Sequence, residues 1–433
     1  MTDHDHRQRT AHPGASPRVV LALALVCGAA VGNVYFPQAV SPLVASGLGV
    51  RPDAAAGVVT ATQFGYAVGI CLLVPLGDRV PYRPLLVTLL TLTGLGLCAA
   101  SAAPGLVPLI AASALVGVTT VVAPLAGPLA AGLVPEERRG VTGGTLLSGS
   151  LAGMLLSRTA GGALGDWLGW RAPYVLAAVL SLAVAALSAR LVPRTAAPSA
   201  ERYPALLAAP LRLLRTEPAL RRSCLCQALV FGGFSAVWTG VALLLTGPAY
   251  GLGGGAVGLL ALVNALTMVC TPVAGRQVDR RGPDAVNLVC FLVVGASAAV
   301  LALGGLGGAP GVTALVVGTL LLDVGMQSGT VANSVRIQAL RAAVRGRLTT
   351  AFMACAYLGG ATGSWLGTRA YGRFGWPGVC VLVAALTAVA LVRHRGATRR
   401  PRRGATPPAG AAPAVGPDGT AEARHGGDRA QSA

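Results

Sequence analysis

Apolar residues run in blocks of about twenty along this chain, parted by short polar stretches, and the alternation persists almost from one end to the other. A helix of roughly 20 residues crosses about 30 Å of hydrocarbon, so each block is long enough to span a bilayer. Twelve are legible. They cover 18–43, 54–76, 84–103, 106–133, 141–165 and 172–191 in the first half, and 224–246, 257–275, 285–306, 312–334, 348–368 and 376–392 in the second. Lipid offers no water to an open backbone, which leaves helix as the conformation for every block. The pattern predicts an all-α integral membrane protein with twelve transmembrane helices in two six-helix bundles.

The polar punctuation repeats as well. Gly275-Arg276-Gln277-Val278-Asp279-Arg280-Arg281-Gly282 follows the second apolar block of its half, and Gly77-Asp78-Arg79-Val80-Pro81-Tyr82-Arg83 follows the second block of the first half. An internal repeat of this kind is common in transporters, which are often built by duplication. The expected organisation is a disordered tail over 1–17, bundles over 18–192 and 222–393, a Pro- and Arg-rich linker over 193–221, and a disordered tail over 394–433. No cleavable leader is expected, since the first apolar block follows a polar tail without a small-residue cleavage site.

Composition agrees with a chain that lives in lipid: 54% of residues are apolar and 11% charged. The net charge of +19 changes the picture only through its placement. Every basic residue is arginine. With the N-terminus inside, all 34 fall in cytoplasmic segments except Arg51, Arg171, Arg369 and Arg373 in outer loops and Arg158 within a helix. That asymmetry is the positive-inside rule, and it predicts a bacterial cell-membrane protein with both termini cytoplasmic. Nucleic-acid binding is not expected, because the charge is divided among loops and forms no continuous patch. The absence of lysine excludes a P-loop and with it an ATP-driven pump. The nine cysteines show no ligand spacing apart from Cys224-x-Cys226, and His4, His6 and His12 could bind metal but read as part of a polar tail, so no metal, disulfide or cofactor is expected.

The most informative residues are polar ones inside the blocks. Asp323 is the one acid near the middle of a span, where a charge costs roughly 2.5 to 3.5 kcal/mol on insertion scales. Thr319, Asp323, Gln327, Thr330 and Ser334 follow helical spacing and form one polar stripe that must face the bundle interior. Asp323 is therefore the candidate for proton coupling or for a cationic solute, against a plain hydrogen-bonded seam. Arg158 is its candidate counter-ion, an anion contact, or a structural arginine packed among glycines. No histidine falls within a predicted span. Candidate substrate contacts are Asn33 and Gln38 around Pro37, Gln63 and Tyr66, Trp238 in a stripe with Phe231 and Phe234, Asn264 with Thr267, and Gln327. Such a site is mostly neutral and apolar, which suits a lipophilic neutral or weakly basic solute better than a sugar. Catalytic clusters of nucleophile, base and carboxylate are not seen, so an enzyme is not expected.

Gly275-x-x-x-Asp279-Arg280-x-Gly282 resembles the signature loop of the major facilitator superfamily, and the twelve blocks with a long middle loop are similar to that family over almost the whole chain. In the first copy Asp78, Arg79 and Arg83 match, while Val74 and Pro81 stand at the two glycine positions. The resemblance implies gating roles for Asp78, Arg79, Arg83, Gly275, Asp279, Arg280 and Gly282, with a carboxylate holding the inner side shut against a helix N-terminus or Arg138 or Arg139. Asn33-Val34-Tyr35-Phe36-Pro37-Gln38 and Leu320 to Gln327 look like a bacterial drug or metabolite efflux branch. Gly149, Gly153, Ser157-Arg158 and Gly161-Gly162 resemble the antiporter glycine motif with Ser-Arg in place of Gly-Pro, and Ser113 stands where the family has an arginine. The implied activity is secondary export of a lipophilic drug or metabolite by proton antiport, as a monomer, in the manner of antibiotic-resistance transporters. An uptake carrier or facilitator on the same fold is the alternative, and a non-transporting membrane sensor a more distant one.

Overall fold

The structure, a computed structural model, describes residues 17–195, 203–341 and 344–398. The first half contains α1 (Pro17–Leu48), a short α2 (Pro52–Ala55) leading into α3 (Gly57–Leu73), α4 (Tyr82–Ser101), α5 (Leu106–Thr119), α6 (Ala123–Leu133), α7 (Arg139–Leu168) and α8 (Arg171–Leu191). The second contains α9 (Tyr203–Thr216), α10 (Pro218–Thr246), α11 (Gly254–Val263), α12 (Cys270–Ala302), α13 (Gly308–Gln338) and α14 (Arg345–Thr398). Nine described helical stretches are long and apolar enough to cross a membrane.

Twelve crossings follow once the breaks are placed. The glycine-rich α7 adds one to the nine. Gly375 divides α14 in two at φ +64°, and Gly282 divides α12 at φ +78°, so that α11 with the first part of α12 makes its own crossing. Both breaks are glycines because an L side chain is strained at positive φ. The fourth crossing is α5 and α6 together, interrupted at Thr120, whose hydroxyl donates to the Ala30 carbonyl at 3.0 Å.

The two halves repeat the same helix contacts. A Cβ built on Gly28 of α1 would lie 2.9 Å from the Gly149 carbonyl oxygen of α7, and one on Gly232 of α10 would lie 2.9 Å from the Gly359 carbonyl oxygen of α14. Gly153 and Gly363 abut the backbones of Gly28 and Gly232 in turn. Helices in lipid gain nothing from hiding apolar surface from one another, so close backbone approach at small residues supplies much of their attraction. Gly153→Ala and Gly363→Ala are accordingly expected to destabilise the purified protein by about 1–3 kcal/mol through overpacking. Gly144→Ala, where a Cβ meets nothing within 4 Å, should instead gain up to about 1 kcal/mol in helix propensity. Equal melting temperatures for all three would remove close packing as the cause.

Two expected boundaries move. The linker over 193–221 contains α9, because Leu206, Ala209, Pro210 and Leu213 recur at helical spacing and are buried; the Pro- and Arg-rich composition masked that period. Tyr203 donates to the Leu72 carbonyl of α3 at 2.5 Å, while Leu213 packs with Leu220, Ile337, Leu348 and Phe352, so α9 touches both halves. The last helix continues beyond Val392 to Thr398, into the stretch expected as tail. No proline intervenes before Pro401, and Arg393 and Arg395 suit a helix C-terminus. The rest of that tail and residues 1–16 lie outside the described residues.

Candidate functional site

A cavity of about 820 Å³ lies between the halves. Its inner wall is aromatic and apolar: Tyr35 from α1, Tyr66 and Ile70 from α3, Met154 from α7, Phe231 from α10 and Tyr357 from α14. Polar groups are few, chiefly Gln227, Gln327 and Thr330, and Gln227 Nε2 donates to Thr330 Oγ1 at 2.7 Å. The cavity reaches Asp78, the exposed Gln338 and Arg345, and Leu206 and Pro210 of α9, so it opens on the arginine-rich face. Its floor is a layer in which Tyr66 and Tyr357 meet edge-on at 4.4 Å, Phe231 and Tyr357 at 5.1 Å, and the hydroxyls of Tyr35 and Tyr357 lie 3.3 Å apart across the halves.

The opposite face is closed. The Asp166 carboxylate, at the end of α7, accepts the first two backbone N–H groups of α11, from Gly254 at 2.8 Å and Gly255 at 2.7 Å. Thr159 Oγ1 donates to the Gly258 carbonyl at 2.8 Å, and Thr60 Oγ1 donates to Ser364 Oγ at 3.3 Å. Each of these bonds joins one half to the other.

Between floor and closed face sits a buried charged group. Asp323, 2% exposed in the middle of α13, accepts the Trp238 indole N–H at 3.3 Å. The Arg158 guanidinium lies 4.3 Å from the centroid of that same indole ring, and its Nε donates to Gln38 Oε1 at 3.0 Å. Arg158 and Asp323 form no ion pair within 4 Å; Trp238 touches both.

Of the expected substrate contacts, Tyr66 and Gln327 line the cavity. Gln38, Gln63 and Trp238 are buried behind its floor, Gln63 accepting from Ser235 Oγ at 2.9 Å. Asn33 and Asn264 are off the cavity wall, because each is bonded within its own half: Asn33 to Ser181 at 3.1 Å, Asn264 to Thr319 at 3.0 Å. Asp323 is likewise absent from the wall in this conformation.

The loop residues separate similarly. Asp78 stands at the cavity mouth, Arg79 is exposed, and Arg83 donates to the Ala189 carbonyl of α8. Asp279 and Arg280 are exposed, Gly275 has open space where a Cβ would be, and Gly282 supplies the turn. Arg139 faces Glu136 at 3.8 Å. In the second half two ion pairs converge instead on Asp284, which joins Arg222 at 2.6 Å and also Arg336, and a third joins Arg341 to Glu217 at 3.0 Å. The expectation that no histidine lies in a span changes with the longer α14: His394 is buried in it, its Nδ1 2.9 Å from an Arg222 Nη2.

Sequence reasoning missed Tyr35 and Tyr357 as cavity residues, Asp166 as a cap, and Asp284. Tyr35 was within a motif already singled out. Asp166 and Asp284 gave no signal, since their partners lie 88 and 62 positions away. Among the described residues no group of three His, Cys, Asp or Glu could hold a metal.

The sequence model of the Major Facilitator Superfamily matches residues 21–282 and again 223–424. The chain is 32% identical over 377 residues to the putative uncharacterized transporter YgaY of Escherichia coli strain K12, covering 87% of this chain and 95% of that one. It is 33% identical over 269 residues to a chloramphenicol resistance protein of Streptomyces lividans, 61% of this chain and 67% of that one. Among solved structures, the nucleoside transporter NupG aligns with a TM-score of 0.70 at 12% identity, over 88% of this chain and 99% of that chain, a likeness of fold.

Proposed function

The chain belongs to the major facilitator superfamily of transporters, and from that premise we propose that it exports a small lipophilic drug or secondary metabolite by proton antiport. Export proceeds by alternating access across a bacterial cell membrane, with both termini, α9 and the arginine-rich loops in the cytoplasm. The observation that carries the reading is the one-sided cavity, aromatic and apolar on its inner wall, with the buried Asp323 and Arg158 behind its floor. Aromatic and apolar walls select for lipophilic bodies, and a carboxylate at membrane depth is the natural proton carrier. The relative named for chloramphenicol resistance makes drug-like solutes the first to screen. Within this reading Asp323 and Arg158 couple protons, Tyr66 and Gln327 meet the solute at once, and Gln38, Gln63 and Trp238 meet it when the floor opens. Asn33 and Asn264 hold their helices in place, and the loops at Asp78 to Arg83 and Gly275 to Gly282 gate the mouth.

A carrier that equilibrates a metabolite without protons is the second reading, favoured by Ser157-Arg158 where antiporters of the family carry Gly-Pro. Transport in reconstituted vesicles separates the two. Solute should move against an imposed pH gradient in the antiporter, and a rate indifferent to that gradient would leave the facilitator. Orientation has its own check: Arg215→Cys on the exposed side of α9, in a background without reactive thiols, should resist an impermeant maleimide added to intact cells. Ready labelling would invert the topology.

A further inference from the structure

Three of the buried N–H-bearing nitrogens without acceptors lie together on two side chains between the halves. Arg158 is 0% exposed, and of its nitrogens only Nε is engaged, with Gln38 Oε1. Arg158 Nη1 and Nη2 and Gln38 Nε2 are all buried without a partner. These are two side chains already bonded to each other, so their free N–H groups belong to one site, and every free group there is a donor. Ring faces surround the cation: Trp238 at 4.3 Å, Tyr35 at 4.9 Å and Phe234 at 5.6 Å. Cation–π contact softens the loss of water but leaves the in-plane N–H groups of the fork unanswered. Asp323 offsets part of the charge from beyond ion-pair distance but does not meet the fork, and buried N–H groups left unanswered are costly enough to call for a partner.

The partner's chemistry follows from the donors. Two Nη groups in a planar fork match the two oxygens of a carboxylate, and an amide NH2 beside them adds a third donor to the same anion. The route follows from Tyr35, which lines the cavity on one side and lies against Arg158 on the other. Met154, one helical turn before Arg158, lines the cavity too. The Tyr35–Tyr357 hydroxyl contact at 3.3 Å is the partition between cavity and donors.

We propose that Arg158 and Gln38 form a carboxylate-binding site behind the cavity floor, and that the transported solute is a lipophilic carboxylate whose charged end docks there when Tyr35 and Tyr357 part. The inference deepens the export reading and rests on it for the solute's route, whereas binding is measured with no gradient at all.

Thermal unfolding of the purified full chain in detergent tests it, with 4-phenylbutyrate as the probe, its neutral amide as the matched control, and chloride alone at equal ionic strength. The carboxylate should raise the melting temperature saturably, with the amide at least about tenfold weaker, because a ligand that binds the folded state alone stabilises it by mass action. Arg158→Met should abolish the rise, and Gln38→Met should weaken binding. Should Arg158→Met fail to fold, Gln38→Met decides. The proposal is overturned by an absent rise in the wild type, by an amide as effective as the acid, by chloride reproducing and blocking the rise, or by variants at Arg158 and Gln38 that bind as before. If the rise holds while vesicles show no export, the site stands and the export reading falls alone.

Discussion

Asp323→Asn is expected to abolish transport against a gradient while leaving downhill exchange of the solute. Asp323 lies in the middle of α13 and is the one buried acid among the described residues. The remaining described acids stand at helix ends and loops, as Asp78, Asp166 and Asp284 do. Asparagine keeps the oxygen that accepts the Trp238 N–H at 3.3 Å and nearly the same shape, so packing should survive while titration, and with it the negative charge acting on Arg158, is lost. A proton falling through 100 mV supplies about 2.3 kcal/mol, enough to hold roughly a fifty-fold solute ratio across the membrane. Vesicles containing the wild type should approach such a ratio, and those containing the variant should relax to equality while still exchanging labelled solute. Gradient-driven accumulation by Asp323→Asn would move the coupling site elsewhere, with the buried His394 the next group to examine.

What the sequence made legible here, and what it hid, divides by the range of the interactions involved. Helix content and crossing number follow from local hydropathy, and a block of apolar residues has few alternatives in lipid. Breaks at Gly282 and Gly375 fell between the expected blocks, because short polar loops leave glycine to make the turn. Depth in the membrane was legible too, so Asp323 and Arg158 stood out as costly residues. Which side chains share a surface was not legible. Asn33, Gln63 and Asn264 carry the same kind of polar side chain as Gln327, yet three are spent on bonds inside the bundle and one faces the cavity. That choice depends on helix rotation, which the low amphipathicity of blocks buried on several sides does not encode. Aromatic floor residues were hidden for a related reason, since Tyr35 and Tyr357 come together from positions 322 apart. In α9 the period was present and composition obscured it.

The closed face yields the last expectation, that Asp166→Ala releases it. The Asp166 carboxylate holds the first two amides of the ten-residue α11, which have no intrahelical acceptor and carry the positive end of the helix dipole. Donor and acceptor come from different halves, so the contact exists only while this face is shut. One turn further on, Thr159 and the Gly258 carbonyl repeat the junction, and glycines at 162 and 258 let the backbones of α7 and α11 approach. Removing a capping side chain costs about 0.5–2 kcal/mol. A contact made in one state alone shifts the equilibrium by its full worth, so about 1–2 kcal/mol should favour the state open on this face by roughly five- to thirty-fold. Ser364→Cys reports on it, since Ser364 is 0% exposed and bonded across the halves to Thr60. Its labelling by a small thiol reagent should quicken by that factor in Asp166→Ala and by less in Asp166→Asn, which keeps one acceptor oxygen. Asp53→Ala, whose carboxylate pairs with its neighbour Arg51 at 2.7 Å, should leave the rate unchanged. A rate at Ser364→Cys that ignores Asp166 would mean that α7 and α11 are held by backbone packing, with the carboxylate a bystander.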